Sequence, residues 1–256
     1  MKILLTIEYL GTNLHGWQWQ PGLRTVQGEL NRVLSQVCGH SVNAEASGRT
    51  DAGVHAMGQT AHFVTDCTIP AEKFPFACNI LLPPDIKILA GRTVPDSFHA
   101  RFDAKQKTYL YRMYLSSHIH PLRDALAYQV VYRVDVEKMR QAAQAFVGTH
   151  DFKSFQAEGN PVPSTMRTVS RADVIQAGDE LLFEVTGNGF LYNMVRIMAG
   201  TLIDVGRGKL RAEDVPAIIE SRDRERAGFT APPHGLYLKS VEYPDLDGGT
   251  SVSSIL

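Results

Sequence analysis

The sequence predicts an α+β fold of two lobes built mostly from antiparallel strands. Its 256 residues suffice for one large domain or two of ordinary size. Hydrophobic residues make up 44% of the chain and charged residues 21%, which is the balance of an ordinary globular protein. Strand-like and helix-like apolar patterns follow one another in the order β-α-β-β-α-β, and this order occurs twice along the chain.

The first half of the chain contains one complete series. Residues 3–9 alternate like a strand, and residues 25–38 have helical spacing, with Thr25 as the N-cap and Gly39 as the stop. The remaining predicted elements are a short strand near 42–47, a strand near 58–65, a helix at 71–82 and a strand at 85–94. This is the split βαβ order of ferredoxin-like folds.

The second half repeats the order with longer connections. Its predicted elements are a strand at 108–115, a helix at 135–147 capped by Asp135, strands at 168–176 and 180–187, helices near 191–206 and 211–222, and a strand at 236–243. We therefore divide the chain into lobes at 1–104 and 105–245 and an acidic tail at 246–256. We expect the lobes to share one sheet through their edge strands and to enclose a central cleft, the usual place for a site.

Charge and cysteine usage narrow the class of protein. The 26 basic and 27 acidic residues give a net charge of -1, which by itself disfavours nucleic-acid binding. Segment 91–112, however, holds five basic and only two acidic residues, so a local basic groove is compatible with the net charge of -1.

Cys38, Cys67 and Cys78 form no CxxC pair, which suits a reducing cytosol and argues against structural zinc. No segment approaches the ~20 apolar residues of a membrane-spanning helix.

The most unusual segment is 47–55, with the sequence SGRTDAGVH. Gly48 and Gly53 flank Arg49 and Asp51 in a tight connection, and glycine permits close backbone approaches. A carboxylate on such a loop can serve as nucleophile, general base or metal ligand. The structural alternative is that Asp51 caps the following turn and Arg49 is a solvated neighbour.

One cation, Arg196, interrupts the otherwise apolar helical segment 190–205. Asn193 and Gly200, three and four residues away, place it on a strip of small residues. An arginine in such a setting usually has a carboxylate or phosphate partner, and pairing with Asp51 would keep that carboxylate ionised. The alternative is that the Arg196 side chain extends to solvent.

Three tyrosines lie on the predicted strand 108–115. Tyr109 and Tyr111 share a face, and Tyr114 points to the other. The preceding segment 98–102 (FHARF) mixes aromatic and cationic side chains, a combination that suits RNA bases stacked beside a phosphate track. A half-buried amphipathic strand explains any one of these tyrosines equally well.

Residues 48–55 (GRTDAGVH) closely resemble the active-site motif of the TruA family of tRNA pseudouridine synthases. The resemblance extends in order along nearly the whole chain, without a departure at the core motifs. Further matching segments are Ile7-Glu8-Tyr9, Gly11, Gly16-Trp17-Gln18, Thr25-Val26-Gln27, 98–102, Lys107 to Tyr111, 151–155 (DFKSF), Met194-Val195-Arg196, Gly200 and 231–238 (APPHGLYL).

The resemblance implies a reaction, a fold and partners. Uridine becomes pseudouridine in the anticodon stem-loop of tRNA, at positions 38, 39 and 40, after the base is flipped out of its stem. The uracil leaves its N-glycosidic bond, turns and rejoins the ribose through carbon, without redox change, so no metal and no cofactor is expected. The family fold has two ferredoxin-like lobes sharing a mostly antiparallel sheet. A cytoplasmic homodimer without membrane association, in which one tRNA contacts both subunits, is implied as well.

The resemblance also implies roles for individual residues. Asp51 takes the catalytic position, and its attack on ribose C1′, its addition to the uracil ring and its abstraction of a ribose proton all remain open. Arg196 matches the arginine that pairs with this carboxylate. Arg49 matches the residue that fills the space left by the flipped base, and Tyr109 matches the tyrosine that stacks on the uracil.

Two other function classes remain as alternatives. The first is an RNA-binding module without catalysis, since a split βαβ sheet with exposed aromatics binds RNA unaided; the joint presence of Asp51, Tyr109 and Arg196 speaks against it. The second is a carboxylate-based glycosidic hydrolase, which needs a second positioned carboxyl group that the sequence near Asp51 does not supply.

Overall fold

The structure, a computed structural model, describes residues 1–159 and 161–244. The strands are β1 (Lys2–Tyr9), β2 (Glu45–Ala46), β3 (His55–Val64), β4 (Ile86–Val94), β5 (Gln106–Leu115), β6 (Tyr128–Val130), β7 (Gly148–Asp151), β8 (Met166–Ala177), β9 (Glu180–Gly187) and β10 (Leu236–Glu242). The helices are α1 (Val26–Cys38), α2 (Phe74–Asn79), α3 (Pro121–Asp124), α4 (Val136–Gln144), α5 (Met194–Gly206) and α6 (Val215–Ser221). In the described part of the chain, no helix has the length and apolar character needed to cross a membrane.

The chain separates into two compact units. The first contains Met1–Lys105 and the described residues 238–244, and the second is Gln106–Tyr237. The predicted boundary after residue 104 falls one residue before this division. Residues 238–244, which we expected in the second lobe, belong to the first unit because β10 returns to its sheet beside β3. The predicted acidic tail at 246–256 lies outside the described residues.

The first unit has the predicted β-α-β-β-α-β order. Its strands are arranged β4-β1-β3-β10, with β2 on β3, and the pairs formed by β1 with β3 and β4 and by β2 with β3 are antiparallel. Helix α1 begins where predicted, since the Thr25 hydroxyl accepts a hydrogen bond from the Gly28 N–H, and it ends at Gly39, whose φ is 76°. Val26, Leu30, Val33 and Leu34 of α1 are fully buried, as are Ile3, Leu5 and Ile7 of β1, so the helix and the sheet both contribute to the apolar core of this unit.

The second unit is also mixed α and β. Its strands are arranged β5-β9-β8-β7, all antiparallel, and the short β6 pairs parallel with β5. Helices α4 and α5 pack on this unit, and 12 of the 13 residues of α5 are buried. The predicted fold class, α+β with a mostly antiparallel sheet, is confirmed.

Several element boundaries differ from the prediction. The strand expected at 42–47 is reduced to the two residues of β2, and the helix expected at 211–222 begins with a 3-10 turn over Ala212–Asp214. The elements α3, β6 and β7 were not predicted. They are three or four residues long, which is too short for an apolar period to appear in the sequence.

An arginine–carboxylate cluster joins two loops of the first unit. Arg24 donates hydrogen bonds to both carboxylate oxygens of Asp85 at 2.7 Å and to Glu29 at 2.9 Å. This hydrogen bonding by Arg24 holds the pKa of Asp85 below its usual value. The ionised carboxylate therefore stabilises the fold above the unfolded-state pKa, near 3.9, and this contribution disappears as the pH falls through the lower folded-state value.

The variant Asp85→Asn is therefore expected to be less stable than wild type at pH 7, and the difference should shrink below about pH 4. The measurement is the free energy of unfolding in urea at a series of pH values. Asp96→Asn is the control, because Asp96 is exposed and its side chain makes no hydrogen bond or ion pair with a described residue. An Asp85→Asn curve parallel to wild type through the acid range would show that Asp85 is not responsible for the pH dependence.

Candidate active site

The segment 47–55 that contains Asp51 is fixed by hydrogen bonds within the first unit. The Ser47 hydroxyl donates to Gln59 Oε1 at 2.7 Å, and Gln59 Nε2 donates to the Gly48 carbonyl at 2.9 Å. The hydroxyl groups of Tyr9 and Thr50 lie 2.7 Å apart, and burial raises the pKa of Tyr9 to about 12. A neutral, buried Tyr9 therefore anchors the residue just before Asp51 from strand β1.

Two glycines of the N-terminal segment press directly against the backbone of this loop. A Cβ on Gly11 would lie 2.1 Å from the Val54 carbonyl oxygen, and one on Gly16 would lie 2.5 Å from that of Thr50. The Trp17 N–H donates to the Thr50 carbonyl at 3.0 Å. Because only glycine allows such approaches, Gly11 and Gly16 let the N-terminal segment pack against the Asp51 loop and support it.

Replacing Gly16 by alanine is expected to impair activity more than stability, because the added methyl group would displace the backbone of Thr50 and Asp51. Gly22→Ala is the matched control: Gly16 and Gly22 have φ values of 80° and 73°, but nothing lies within 4 Å of a Cβ at Gly22. Both variants share the strain of a left-handed alanine, about 1–2 kcal/mol. Catalytic activity and urea unfolding should be measured for both, and equal activities would contradict the support role.

The structure places Arg49 and Asp51 two residues apart on the same loop. Arg49 is exposed, Asp51 is half-buried, and Thr50 between them is buried. The Asp51 carbonyl accepts a hydrogen bond from the Val54 N–H at 3.2 Å, which closes a turn directly after Asp51. The backbone is thus rigid while the side chain of Asp51 stays accessible, as a reacting carboxylate requires.

In the second unit, Arg196 lies in the first turn of α5 and is the one residue of that helix that is not buried. Its Nε donates to the Ala231 carbonyl at 2.7 Å, and its Nη1 donates to Asn193 Oδ1 at 2.7 Å. Asn193 caps the helix in a left-handed conformation, with φ of 59°, which asparagine adopts more readily than most residues. The guanidinium is therefore held in one orientation by its own unit.

Tyr109 is 9% exposed and lies on β5. Its ring meets that of Phe190 edge to face, with centroids 5.0 Å apart. Tyr111 lies two residues further along the same strand and is buried, and its hydroxyl donates to the Pro232 carbonyl at 2.8 Å. Because the adjacent Ala231 carbonyl accepts from Arg196, the segment 231–232 links strand β5 to helix α5.

Among the residues that the structure describes, one group of three offers atoms suited to a metal ion: Glu45, His62 and His99, whose candidate atoms lie within 4.8 Å of one another. Backbone N–H groups of Ala100 and Arg101 donate to Nδ1 of the two histidines. Burial lowers the pKa of His62, and a neutral ring that accepts at Nδ1 has its proton on Nε2. Metal binding at Nε2 requires the opposite tautomer, so this geometry favours a hydrogen-bonded cluster.

The sequence alone does not identify every residue that supports the predicted site. It indicates Phe190 only as part of an apolar segment and Asn193 only as a neighbour of Arg196. Tyr9 belongs to a segment that matches the family but has no predicted role, although its hydroxyl contacts Thr50. An asparagine directly before an apolar helical segment is a signal that the sequence offers, whereas the aromatic and hydroxyl contacts depend on the tertiary fold.

The family of tRNA pseudouridine synthases matches this chain over residues 5–103 and 142–244. These ranges include Arg49, Asp51 and Arg196, and Tyr109 lies between them. Among solved structures, one chain of a Cbf5-Nop10-Gar1 complex aligns with 79% of this chain and 53% of its own length. The sequence identity is 14% and the TM-score 0.35, values that support no assignment.

Curated relatives cover almost the whole chain. A protein of Bacillus velezensis named tRNA pseudouridine synthase A is 49% identical over 95% of this chain and 99% of its own length. A protein of the same name from Ruminiclostridium cellulolyticum is 49% identical over 94% of this chain and 99% of its own. One from Bacillus subtilis is 46% identical over 95% and 99%, respectively. The chain therefore belongs to the TruA family of tRNA pseudouridine synthases.

Proposed function

We propose that this protein isomerises uridine to pseudouridine in the anticodon stem-loop of tRNA, at positions 38, 39 and 40. Family membership over nearly the full length supports the reaction class. The observation that carries the proposal is the loop around Asp51, which is fixed by buried hydrogen bonds and glycine contacts while its carboxylate side chain remains half-exposed. Such rigidity favours a group that must meet its substrate in one orientation.

Asp51 supplies the reacting carboxylate in this proposal. The N-glycosidic bond breaks, the uracil rotates, its C5 bonds to ribose C1′, the C5 proton is lost to solvent and N1 takes up a proton. One proton leaves and one is gained, so atoms and charge balance and the overall reaction consumes no oxidant, reductant or nucleotide cofactor. The exposed Arg49, on the same loop, occupies the space that the extruded base vacates.

The second unit contributes Arg196 and Tyr109 to the proposal. Arg196 opposes the negative charge of Asp51 and keeps the carboxylate ionised, a role for which its fixed guanidinium is suited. Tyr109, steadied by the Phe190 ring, stacks on the uracil. Both roles are assigned from the positions of these residues in the family motifs, and the local contacts of each residue are consistent with its role.

We further propose a cytoplasmic homodimer in which one tRNA contacts both subunits. A net charge of -1 provides little attraction for RNA over a single chain, whereas a groove assembled from two chains concentrates local basic segments. Binding by such a groove depends on phosphate contacts, so the affinity for tRNA should fall steeply as salt is raised.

The proposed reaction is tested by tritium release from tRNA transcripts labelled at uracil C5, with no metal or cofactor added. Wild-type protein should release tritium from transcripts with uridine at positions 38–40, and not from control transcripts that have cytidine at all three. Binding of tRNA without release from either transcript would favour the RNA-binding module instead. Equal release from both transcripts would reject the assignment of the anticodon stem-loop.

A further inference from the structure

We propose that a basic hollow at the C-terminal end of helix α5 binds the phosphate backbone of the tRNA substrate outside the reacting site. The hollow is lined by Val131, Tyr132, Arg133, Arg207, Gly208 and Lys209 and has a volume of about 730 Å³. None of these residues lies in the sequence segments on which the resemblance to the family is based. The proposal rests on the proposed function, which makes RNA the polyanion that this protein meets.

The lining combines exposed cations with an exposed aromatic ring. Tyr132 is 53% exposed, and the Arg207 guanidinium lies 5.2 Å from the centre of its ring. The Lys209 side chain is 60% exposed, and Arg133 is exposed as well. Cations beside an accessible aromatic face are the arrangement by which proteins hold an RNA strand, with phosphates on the charges and a base or ribose on the ring.

The buried carboxylate of Asp204 neutralises part of the positive charge of the hollow. Arg207 and Lys209 lie 2.8 Å and 3.1 Å from its two oxygens, so one of their two charges neutralises Asp204. Arg133 forms no ion pair or hydrogen bond with a described residue. The hollow therefore retains two positive charges beyond what the buried carboxylate requires, and this excess favours an anionic ligand.

The hollow is rigid and lies at a fixed distance from the proposed site. The turn after α5 is closed by bonds from the Gly208 and Lys209 N–H groups to the Val205 and Asp204 carbonyls, at 2.9 Å and 2.8 Å. Arg196 and Arg207 are eleven residues apart along the chain, and a helical rise of 1.5 Å per residue separates them by about 16 Å. One RNA stem can span that distance, so a strand engaged at Arg196 can also reach the hollow.

Binding of full-length tRNA by Arg133→Gln and Tyr132→Ala, measured at several salt concentrations, tests the proposal. Arg133→Gln should weaken binding and reduce the slope of log affinity against log salt by about one. Tyr132→Ala should weaken binding at least about fivefold through lost stacking. KM for tRNA should rise in parallel with Kd. Urea unfolding of both variants confirms that the fold is retained.

Lys138→Gln is the matched control, because it removes one positive charge from the same unit at a side chain that is 61% exposed and lies outside the hollow. Glutamine at this third position of α4 also suits the helix N-terminus. Affinities and salt slopes of both hollow variants equal to wild type would overturn the proposal, as would an equal loss in Lys138→Gln. Because binding is measured directly, the result holds whether or not wild-type protein releases tritium.

Discussion

Asp51→Asn is expected to abolish pseudouridine formation, lowering the rate at least about 10³-fold while leaving tRNA binding intact. The amide has nearly the shape of the carboxylate but cannot act as nucleophile or base. The backbone of the loop is held by groups other than this side chain, including the Gln59 amide and the Thr50 hydroxyl. The loss should therefore appear in single-turnover tritium release and not in the urea unfolding curve.

Asp96→Asn is the control for this result, since Asp96 is an exposed carboxylate of the same unit whose side chain makes no hydrogen bond or ion pair with a described residue; Lys2 donates only to its backbone carbonyl. It should keep wild-type activity. Activity of Asp51→Asn within a few-fold of wild type would eliminate Asp51 as the reacting group. A collapse of tRNA binding in Asp51→Asn would instead assign the side chain to substrate binding.

The fold could be predicted from sequence where local signals are strong. Helix α1 has a hydroxyl cap at Thr25 and a glycine stop at Gly39, and both ends agree with the structure. The position of β10 could not be predicted in the same way. Its alternation predicts a strand, but its pairing beside β3 joins residues about 180 positions apart, and apolar periodicity contains no information on such partners.

For the candidate site too, the sequence indicates some residues and not others. Arg196 stands out in the sequence because a charged residue within an apolar helix is unusual, and Asp51 stands out because its loop matches the family motif. The residues that hold these two side chains in place do not stand out in the sequence. Tyr9 contacts Thr50 across 41 residues, and Arg196 donates to Ala231 across 35, so these contacts exist only after the chain has folded.

Gly200→Ala is expected to cause the largest loss of stability. A Cβ at Gly200 would lie 1.8 Å from the Phe229 carbonyl oxygen and 2.9 Å from its carbon. From the other side, a Cβ on Gly228 would lie 2.5 Å from the backbone of Thr201. In a helix without this contact, the same substitution would stabilise by roughly 0.5–1 kcal/mol. Here α5 and the segment 228–231 must separate, at an expected cost of about 3 kcal/mol or more.

The separation should also lower activity, because the 228–231 segment supplies the Ala231 carbonyl that orients Arg196. One control resolves the cause. Thr201→Val removes the hydroxyl that accepts from the buried Gly228 N–H at 2.9 Å, a loss of about 1–3 kcal/mol without a clash. If Gly200→Ala were no less stable than Thr201→Val, the close backbone contact would not be what holds α5 to the segment 228–231. Wild-type activity in Gly200→Ala would show that this contact does not position Arg196.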